Sequence, residues 1–130
     1  MMIKCFIFLL MIFLHIVDDY YLQGILASMK QKSWWEKNAP DPLYKNDYRI
    51  ALLEHAFSWT FMVMLPIAVC ILLGYNIHMV YYFMFFICNF ILHAYIDNEK
   101  ANKKSINLIT DQVFHLAQIV ITWITCFCGV

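Results

Sequence analysis

Three pairs of histidine and aspartate, each spaced by four residues within an apolar segment, constrain the fold of this chain more than any other feature. The pairs are His15/Asp19, His93/Asp97 and Asp111/His115. On a helix, residues four apart project from the same face. An ionisable side chain in a membrane span costs about 2.5–3.5 kcal/mol on insertion scales, so such residues usually face a bundle interior where partners or metals neutralise them. The pairs therefore predict helices that enclose a polar centre.

The composition predicts that these helices lie in a membrane. Of 130 residues, 63% are hydrophobic and only 14% are charged, which is too apolar for an ordinary soluble domain of this size. Four apolar segments approach the ~20 residues needed to cross the hydrocarbon. We expect an all-α polytopic membrane protein, a four-transmembrane-helix bundle forming a single domain over residues 1–130. The predicted helices cover residues 1–30, 48–73, 76–98 and 107–130.

The distribution of basic residues predicts the orientation of the bundle. Eight of the nine lysines and arginines lie at or beside the connections 31–47 and 99–107, and only Lys4 lies on the other side. The positive-inside rule therefore places both connections in the cytoplasm and both termini outside. A net charge of zero gives no sign of a nucleic-acid partner.

The orientation also brings the three pairs to a common level. In each pair the aspartate lies nearer the basic connections and the histidine lies one helical turn deeper, and His55 reaches the same depth from the second helix. Neutral imidazole and carboxylate suit zinc, manganese or iron, and seven ligands exceed what one tetrahedral ion needs. We therefore expect a divalent metal centre with room for two ions. The predicted ligands are His15, Asp19, His55, His93, Asp97, Asp111 and His115.

We also predict roles for further polar residues beside these ligands. Asp18 or Glu54 is the expected proton acceptor, and Gln23, Lys100 and Gln112 are expected to orient a substrate. The doubled acid Asp18-Asp19 leaves the ligand open by one position, although the spacing favours Asp19. Taken alone, a buried His/Asp pair is more often a structural hydrogen bond than a ligand pair, and a lysine such as Lys100 more often snorkels to the membrane interface.

Four sequence elements also resemble a known family. The strings HIVDDYYLQGILASMK, LLEHAFSW, HAYIDNEK and DQVFHLAQI resemble, in that order, the H-x-x-x-D-[FY]-x-L-Q, isolated H, H-x-x-x-D-x-x-K and D-Q-x-x-H elements of a family of small integral-membrane proteins of bacteria and phages. That family is catalogued as domain of unknown function three-three-zero-seven. The resemblance covers nearly the whole chain and implies a polytopic protein of the bacterial cytoplasmic membrane, without assigning a reaction. A more distant similarity links the pattern to membrane-bound metal-dependent hydrolases.

These observations favour one function and leave two alternatives. Paired metals can generate hydroxide and stabilise a phosphoryl transition state, so we expect hydrolysis of a phosphoester in an anionic lipid or in a small cytosolic molecule such as a nucleotide. Intramembrane Asp/His relays also serve transporters or channels for protons and divalent metals. A non-enzymatic, phage-type membrane effector that binds a host protein is the third hypothesis. The sequence leaves the oligomeric state open.

Overall fold

A computed structural model describes residues 2–128 as helices joined by turns and short loops, without a strand in that range. The expectation of an all-α chain is thereby confirmed for this part of the sequence. Residues 1, 129 and 130, where the first and last predicted helices begin and end, lie outside it. The α-helices are α1 (Met2–Val17), α2 (Leu26–Met29), α3 (Lys32–Asn38), α4 (Tyr48–Leu72), α5 (Met79–Asn98) and α6 (Leu108–Cys128).

The four long helices pack in a ring. α1 contacts α4, α4 contacts α5, α5 contacts α6, and α6 closes the ring against α1. Neighbours run antiparallel, because the start of α1 lies beside the end of α6, where Lys4 Nζ donates to the Phe127 carbonyl at 2.5 Å. The short connections between α4 and α5 and between α5 and α6 favour this arrangement. The bundle therefore has the up-down-up-down topology.

Three helical stretches are long and apolar enough to cross a membrane, namely Pro42–Leu72, Met79–Lys103 and Leu108–Phe127. Helix α1 is shorter, with 16 residues. All four long helices nevertheless expose large apolar side chains on their outer faces, and examples from each helix in turn are Phe13, Phe61, Ile91 and Val113. A solvent-exposed surface of this kind is unusual for a monomeric soluble protein and is typical of a lipid-facing one.

The first helix is shorter than the sequence predicted. Instead of continuing to residue 30, it passes into a π-helical turn, Asp18–Leu22, and ends before Gly24. Gly24 has a φ of 47°, a left-handed conformation that stops a helix and that glycine adopts at little cost. The connection that follows is also more ordered than a polar loop. It contains α2, α3 and a 3₁₀ turn, Pro42–Tyr44, whose N-cap Asp41 accepts a hydrogen bond from the Leu43 amide at 2.8 Å.

The interior of the bundle has an apolar half and a polar half. Toward the turn between α4 and α5, the core is built from Ile7, Met11, Val63, Met64, Ile67, Cys70, Ile77, Ile119 and Cys126. Toward the opposite end, where the basic connections lie, the buried residues are mainly histidines and aspartates. Trp59 is fully buried and lies at the boundary. The polar half is the part of the fold that carries chemistry.

Candidate metal centre

Two of the helices that carry aspartates toward the centre, α1 and α5, continue as π-helical turns. One π-helical turn, Asp18–Leu22, continues α1, and the other, Glu99–Lys103, continues α5 just after Asp97. A π-helical turn is wider than an α-helical turn and often occurs at functional sites. At the end of α1, Asp18 and Asp19 are both buried, with 0% and 7% exposure. The wider turn allows two consecutive acids to face the interior of the bundle.

Three side chains from three helices form the first group of potential metal ligands: Asp19, His55 and His93. Around His55 Nε2, the Asp19 Oδ1 atom lies at 3.4 Å and the His93 Nε2 atom at 3.2 Å. Asp97 Oδ2 lies 3.2 Å from the same nitrogen. Two ligands bound tetrahedrally to zinc at 2.0–2.1 Å are separated by about 3.3 Å. The separations of these three atoms from His55 Nε2 are therefore close to the separation of two ligands on one tetrahedral ion.

A second group consists of His93, Asp97 and His115. His115 Nε2 lies 3.4 Å from Asp97 Oδ1 and 3.3 Å from Asp111 Oδ1. The two carboxylate oxygens of Asp97 thus face different groups, because Oδ2 lies beside His55 and Oδ1 lies beside His115. A carboxylate in this position can bridge two ions.

Several buried atoms of the centre have no hydrogen-bond partner among the described residues. They include His115 Nε2, Asp111 Oδ1, His55 Nδ1 and Asp18 Oδ2. A buried polar atom without a partner costs about 1–3 kcal/mol, more if it is charged. These atoms face one another as two imidazole–carboxylate pairs, His115 Nε2 with Asp111 Oδ1 at 3.3 Å and His55 Nδ1 with Asp18 Oδ2 at 3.8 Å, and either a shared proton or a bound cation would satisfy them.

Trp59 is a component of the centre that sequence reasoning missed. Its indole stacks on the His93 ring, with ring centroids 4.1 Å apart and an interplanar angle of 17°, and its Nε1 donates to His15 Nδ1 at 2.7 Å. The available signal was spacing, since Trp59 follows His55 by four residues and so shares its helix face. Trp59 fixes two histidine rings at once.

His15 lies beside the two groups but belongs to neither. Because an indole nitrogen only donates, His15 Nδ1 is the acceptor, and its Nε2 then carries the hydrogen that Gln112 Oε1 accepts at 3.0 Å. Gln112 Nε2 in turn lies 3.2 Å from Asp19 Oδ2 and 3.2 Å from Asp111 Oδ2. In this geometry both ring nitrogens of His15 are engaged, and the residue orients Gln112 and two carboxylates.

Two lysines pair with aspartates of the centre. Lys30 Nζ donates to Asp97 Oδ2 at 2.6 Å, and Lys100 Nζ donates to Asp111 Oδ2 at 2.5 Å. Lys30 is 9% exposed, which is rare for a lysine without a charged partner. The sequence indicated Lys100 as a substrate ligand, but it gave no sign that Lys30 would reach an aspartate.

The remaining predicted residues differ in their placement. Asp18 accepts a hydrogen bond from Ser58 Oγ at 2.6 Å and lies 3.8 Å from His55 Nδ1. Gln23 donates through its side chain to the Asp19 carbonyl and lines a cavity that also contains Asp97. Glu54 is exposed on α4, so the structure does not bring it to the buried cluster.

A chain of buried polar side chains extends from the centre into the bundle. His115 Nδ1 lies 3.3 Å from Gln118 Oε1, Gln118 Nε2 donates to the Asn89 carbonyl at 3.2 Å, and Asn89 Nδ2 donates to Thr122 Oγ1 at 2.9 Å. Sequence reasoning assigned no role to Gln118, although its three-residue spacing from His115 places it on the same helix face. These bonds satisfy polar groups that would otherwise be costly in a membrane.

Comparison with known proteins adds no relative: no protein-family model, curated protein or solved structure matches this chain. The resemblance of its four sequence elements to a family of small membrane proteins stays a prediction.

Proposed function

We propose that this chain is a four-span membrane protein whose buried His/Asp centre binds a divalent metal and hydrolyses a phosphoester. The observation that carries the proposal is the convergence of five side chains from four helices at ligand spacing. These side chains are Asp19, His55, His93, Asp97 and His115. Helical bundles build metal sites in this way, from inward-facing carboxylates and histidines.

Charge balance supports a divalent ion at this place. The buried carboxylates are Asp18, Asp19, Asp97 and Asp111, and two of them are paired with lysines. When all imidazoles are neutral, four negative and two positive groups leave two negative charges, which one divalent ion would neutralise; two protonated imidazoles would neutralise them equally. A second ion, held by His93, Asp97 and His115, would require an anionic partner such as hydroxide or the substrate. Zinc, manganese and iron accept this mixture of nitrogen and oxygen ligands.

The environment of the centre supports hydrolysis. A divalent ion would supply a water of lowered pKa and would polarise a phosphoryl oxygen. Asp18 is suited to accept a proton, since one of its oxygens is bonded to Ser58 and the other is buried 3.8 Å from His55 Nδ1. Glu54, the alternative acceptor, is exposed. Gln112 lies within hydrogen-bond distance of both Asp19 and Asp111 and can orient the carboxylates or a bound substrate.

The outer surface supports a membrane position for all four long helices. Phe6, Leu9 and Phe13 are all exposed on α1, so α1 presents an apolar outer face like its three longer neighbours. With the π-helical turn that ends at Leu22, the helical segment beginning at Met2 approaches the length of a span. The basic connections support a position of the centre near the cytoplasmic face of a bacterial membrane.

A transporter of protons or divalent metal is the second candidate, and the polar chain from His115 through Gln118 and Asn89 to Thr122 favours it. The chain stops at an apolar layer that includes Ile7, Ile77 and Cys126. A transporter needs polar groups that continue across the membrane, whereas a hydrolase needs access from one side. The apolar layer therefore supports the hydrolase.

Metal analysis of detergent-purified protein is the first test. We expect one or two divalent ions per chain, and we expect His93→Ala to lose most of the metal. His78→Ala is the matched control, because His78 is exposed at the start of α5 and should leave the metal content unchanged. If the wild-type protein contains no metal, the cluster is a structural hydrogen-bond network and the proposed function is wrong.

The second test separates the two functions. Metal-loaded protein in liposomes is offered anionic phospholipids, lipid phosphates and nucleotides, and released phosphate or alcohol is measured together with proton and metal flux. Hydrolysis that a chelator abolishes supports the enzyme. Proton or metal flux without hydrolysis, if Asp19→Asn stops that flux, would instead support the transporter.

A further inference from the structure

A surface cavity of about 360 Å³ adjoins the metal centre, a volume within the range of about 300–1,000 Å³ common for small-molecule sites. It lies where the first and third connections meet, and Asp97 is one of its lining residues. The cavity therefore joins the centre to the surface. Its other polar lining residues are Gln23, Gln31, Lys30, Lys100 and Lys104.

Lys30 occupies a position that conflicts with a bound metal. Its Nζ lies 2.6 Å from Asp97 Oδ2, and the same oxygen lies 3.2 Å from His55 Nε2 in the first ligand group. A divalent ion and an ammonium group on one carboxylate oxygen repel each other strongly, because little water separates them. Metal binding should therefore weaken the pair between Lys30 and Asp97.

The backbone of Lys30 is held independently of its side chain. Asn102 Nδ2 donates to the Lys30 carbonyl at 3.1 Å, and Asn102 Oδ1 accepts from the Lys32 amide at 2.7 Å. These bonds join the first connection to the π-helical turn after α5. The Lys30 side chain can therefore leave Asp97 without unfolding the segment that carries it, and the adjacent free volume is the cavity.

We propose that metal binding displaces the Lys30 ammonium from Asp97 into the cavity, where Lys30, Lys100 and Lys104 bind a tetrahedral oxyanion, the phosphate group of a phosphoester. This inference rests on the proposed metal-dependent function and adds an order to it: the metal binds first and the anion second. Without metal, Lys30 and Lys100 are both paired with aspartates. With metal, the positive charge of Lys30 becomes available to the anion.

The first experiment follows Lys30 in the wild-type protein. Lysines are acetylated with a water-soluble reagent in detergent, with and without added Mn²⁺, and modification is read by mass spectrometry. We expect Mn²⁺ to increase the modification of Lys30 severalfold and inorganic phosphate to reverse the increase. Lys103 is the internal control, because it is exposed and pairs with Glu99 outside the cavity. An unchanged or reduced reactivity of Lys30 on metal binding overturns the inference.

The second experiment uses the competition between lysine and metal. Lys30→Gln removes the ammonium that opposes the ion, so it should bind Mn²⁺ more tightly, by a factor on the order of ten, and it should bind inorganic phosphate more weakly in the metal-loaded state. Lys30→Arg keeps the charge and should retain the coupling between metal and phosphate. A merely structural ion pair predicts loss of both affinities in Lys30→Gln.

The two proposals fail in different ways. If wild-type protein binds no metal, the proposed function is wrong. If it binds Mn²⁺ with full stoichiometry but phosphate affinity is independent of Lys30, the metal centre stands and the displacement of Lys30 is wrong. By linkage, phosphate must also raise Mn²⁺ affinity by the same factor by which Mn²⁺ raises phosphate affinity.

Discussion

Trp59 shows how one residue couples several parts of the centre. Its ring stacks on His93, and its indole nitrogen fixes the acceptor nitrogen of His15. Because His15 Nδ1 accepts this hydrogen bond, its ring hydrogen lies on Nε2 and is donated to Gln112. Gln112 in turn contacts Asp19 and Asp111. Mutating a group that orients a metal ligand from outside typically lowers metal affinity by about 10- to 100-fold.

We expect Trp59→Phe to keep the stacking on His93 and lose the hydrogen bond to His15. The His15 ring and Gln112 would then lose their fixed orientation, so metal affinity should fall about tenfold, the lower end of the usual effect of such partners. Titration with a competing metal chelator measures this affinity. Trp123→Phe is the control, because Trp123 Nε1 donates to the Lys4 carbonyl at the far end of the bundle. Equal losses in both variants would indicate a general packing defect.

His93 and Asp97 should behave as one unit. They belong to the same ligand group, so His93→Ala should remove most of the metal and the added Asp97→Ala should cost little more. Neighbouring residues that share a function give non-additive effects of this kind. Metal content of the two single variants and the double variant forms the cycle. Additive losses would show that the two residues bind metal independently.

At the scale of the secondary-structure element, the helix ends matter most. The π-helical turns after α1 and α5 lie where the acids of the centre and the basic connections meet. The turn between α4 and α5 is short, and Gly74, whose φ is 83°, follows shortly after the end of α4 at Leu72. The polar ends of the helices are therefore gathered on one side of the bundle, and the apolar turn is on the other.

Cysteine labelling in intact cells tests the orientation of these elements. On a background without the five native cysteines, we expect a membrane-impermeant reagent to modify Asn76→Cys in the turn after α4 and to spare Lys37→Cys in the first connection. The positive-inside rule is the physical reason. Permeabilised cells, in which both positions should react, are the control. Labelling of Lys37→Cys alone would show that the orientation is reversed and that the metal centre lies near the outer face.

At the scale of the whole molecule, apolar side chains face outward and ionisable side chains are buried in the interior. Large apolar side chains cover the outer faces of the ring, while His55, His93, His115, Asp18 and Asp111 are all fully buried. The buried carboxylates repel one another when no cation lies between them. If the centre binds a divalent ion as proposed, we expect that ion to stabilise the bundle.

Removing the metal should lower the thermal stability of the purified protein. A ligand present at 100 times its dissociation constant stabilises the folded state by about 2.7 kcal/mol, and a chelator removes that contribution. Unfolding followed by intrinsic tryptophan fluorescence, with and without chelator, measures the change. In Asp97→Asn the chelator should have little effect. A wild-type melting temperature that changes with neither chelator nor added metal would contradict the prediction.

The sequence alone determined the helical character of the chain and the general position of its polar centre. Apolar segments of about 20 residues and histidine-aspartate spacings of four residues depend only on helix geometry and on the cost of charge in hydrocarbon. For this reason the structure has helical stretches long enough to cross a membrane and brings Asp19, His55, His93, Asp97 and His115 together.

Tertiary structure decided which side chains meet within the centre. The rotation of each helix about its axis, and the π-helical turn at Asp18, depend on packing against neighbours that are distant in sequence. Spacing therefore did not reveal that His15 would bond to Trp59, that Glu54 would face outward, or that Lys30 would lie 2.6 Å from Asp97. Helix periodicity fixes a residue's face relative to its own helix, whereas only the assembled bundle fixes the atom that it contacts.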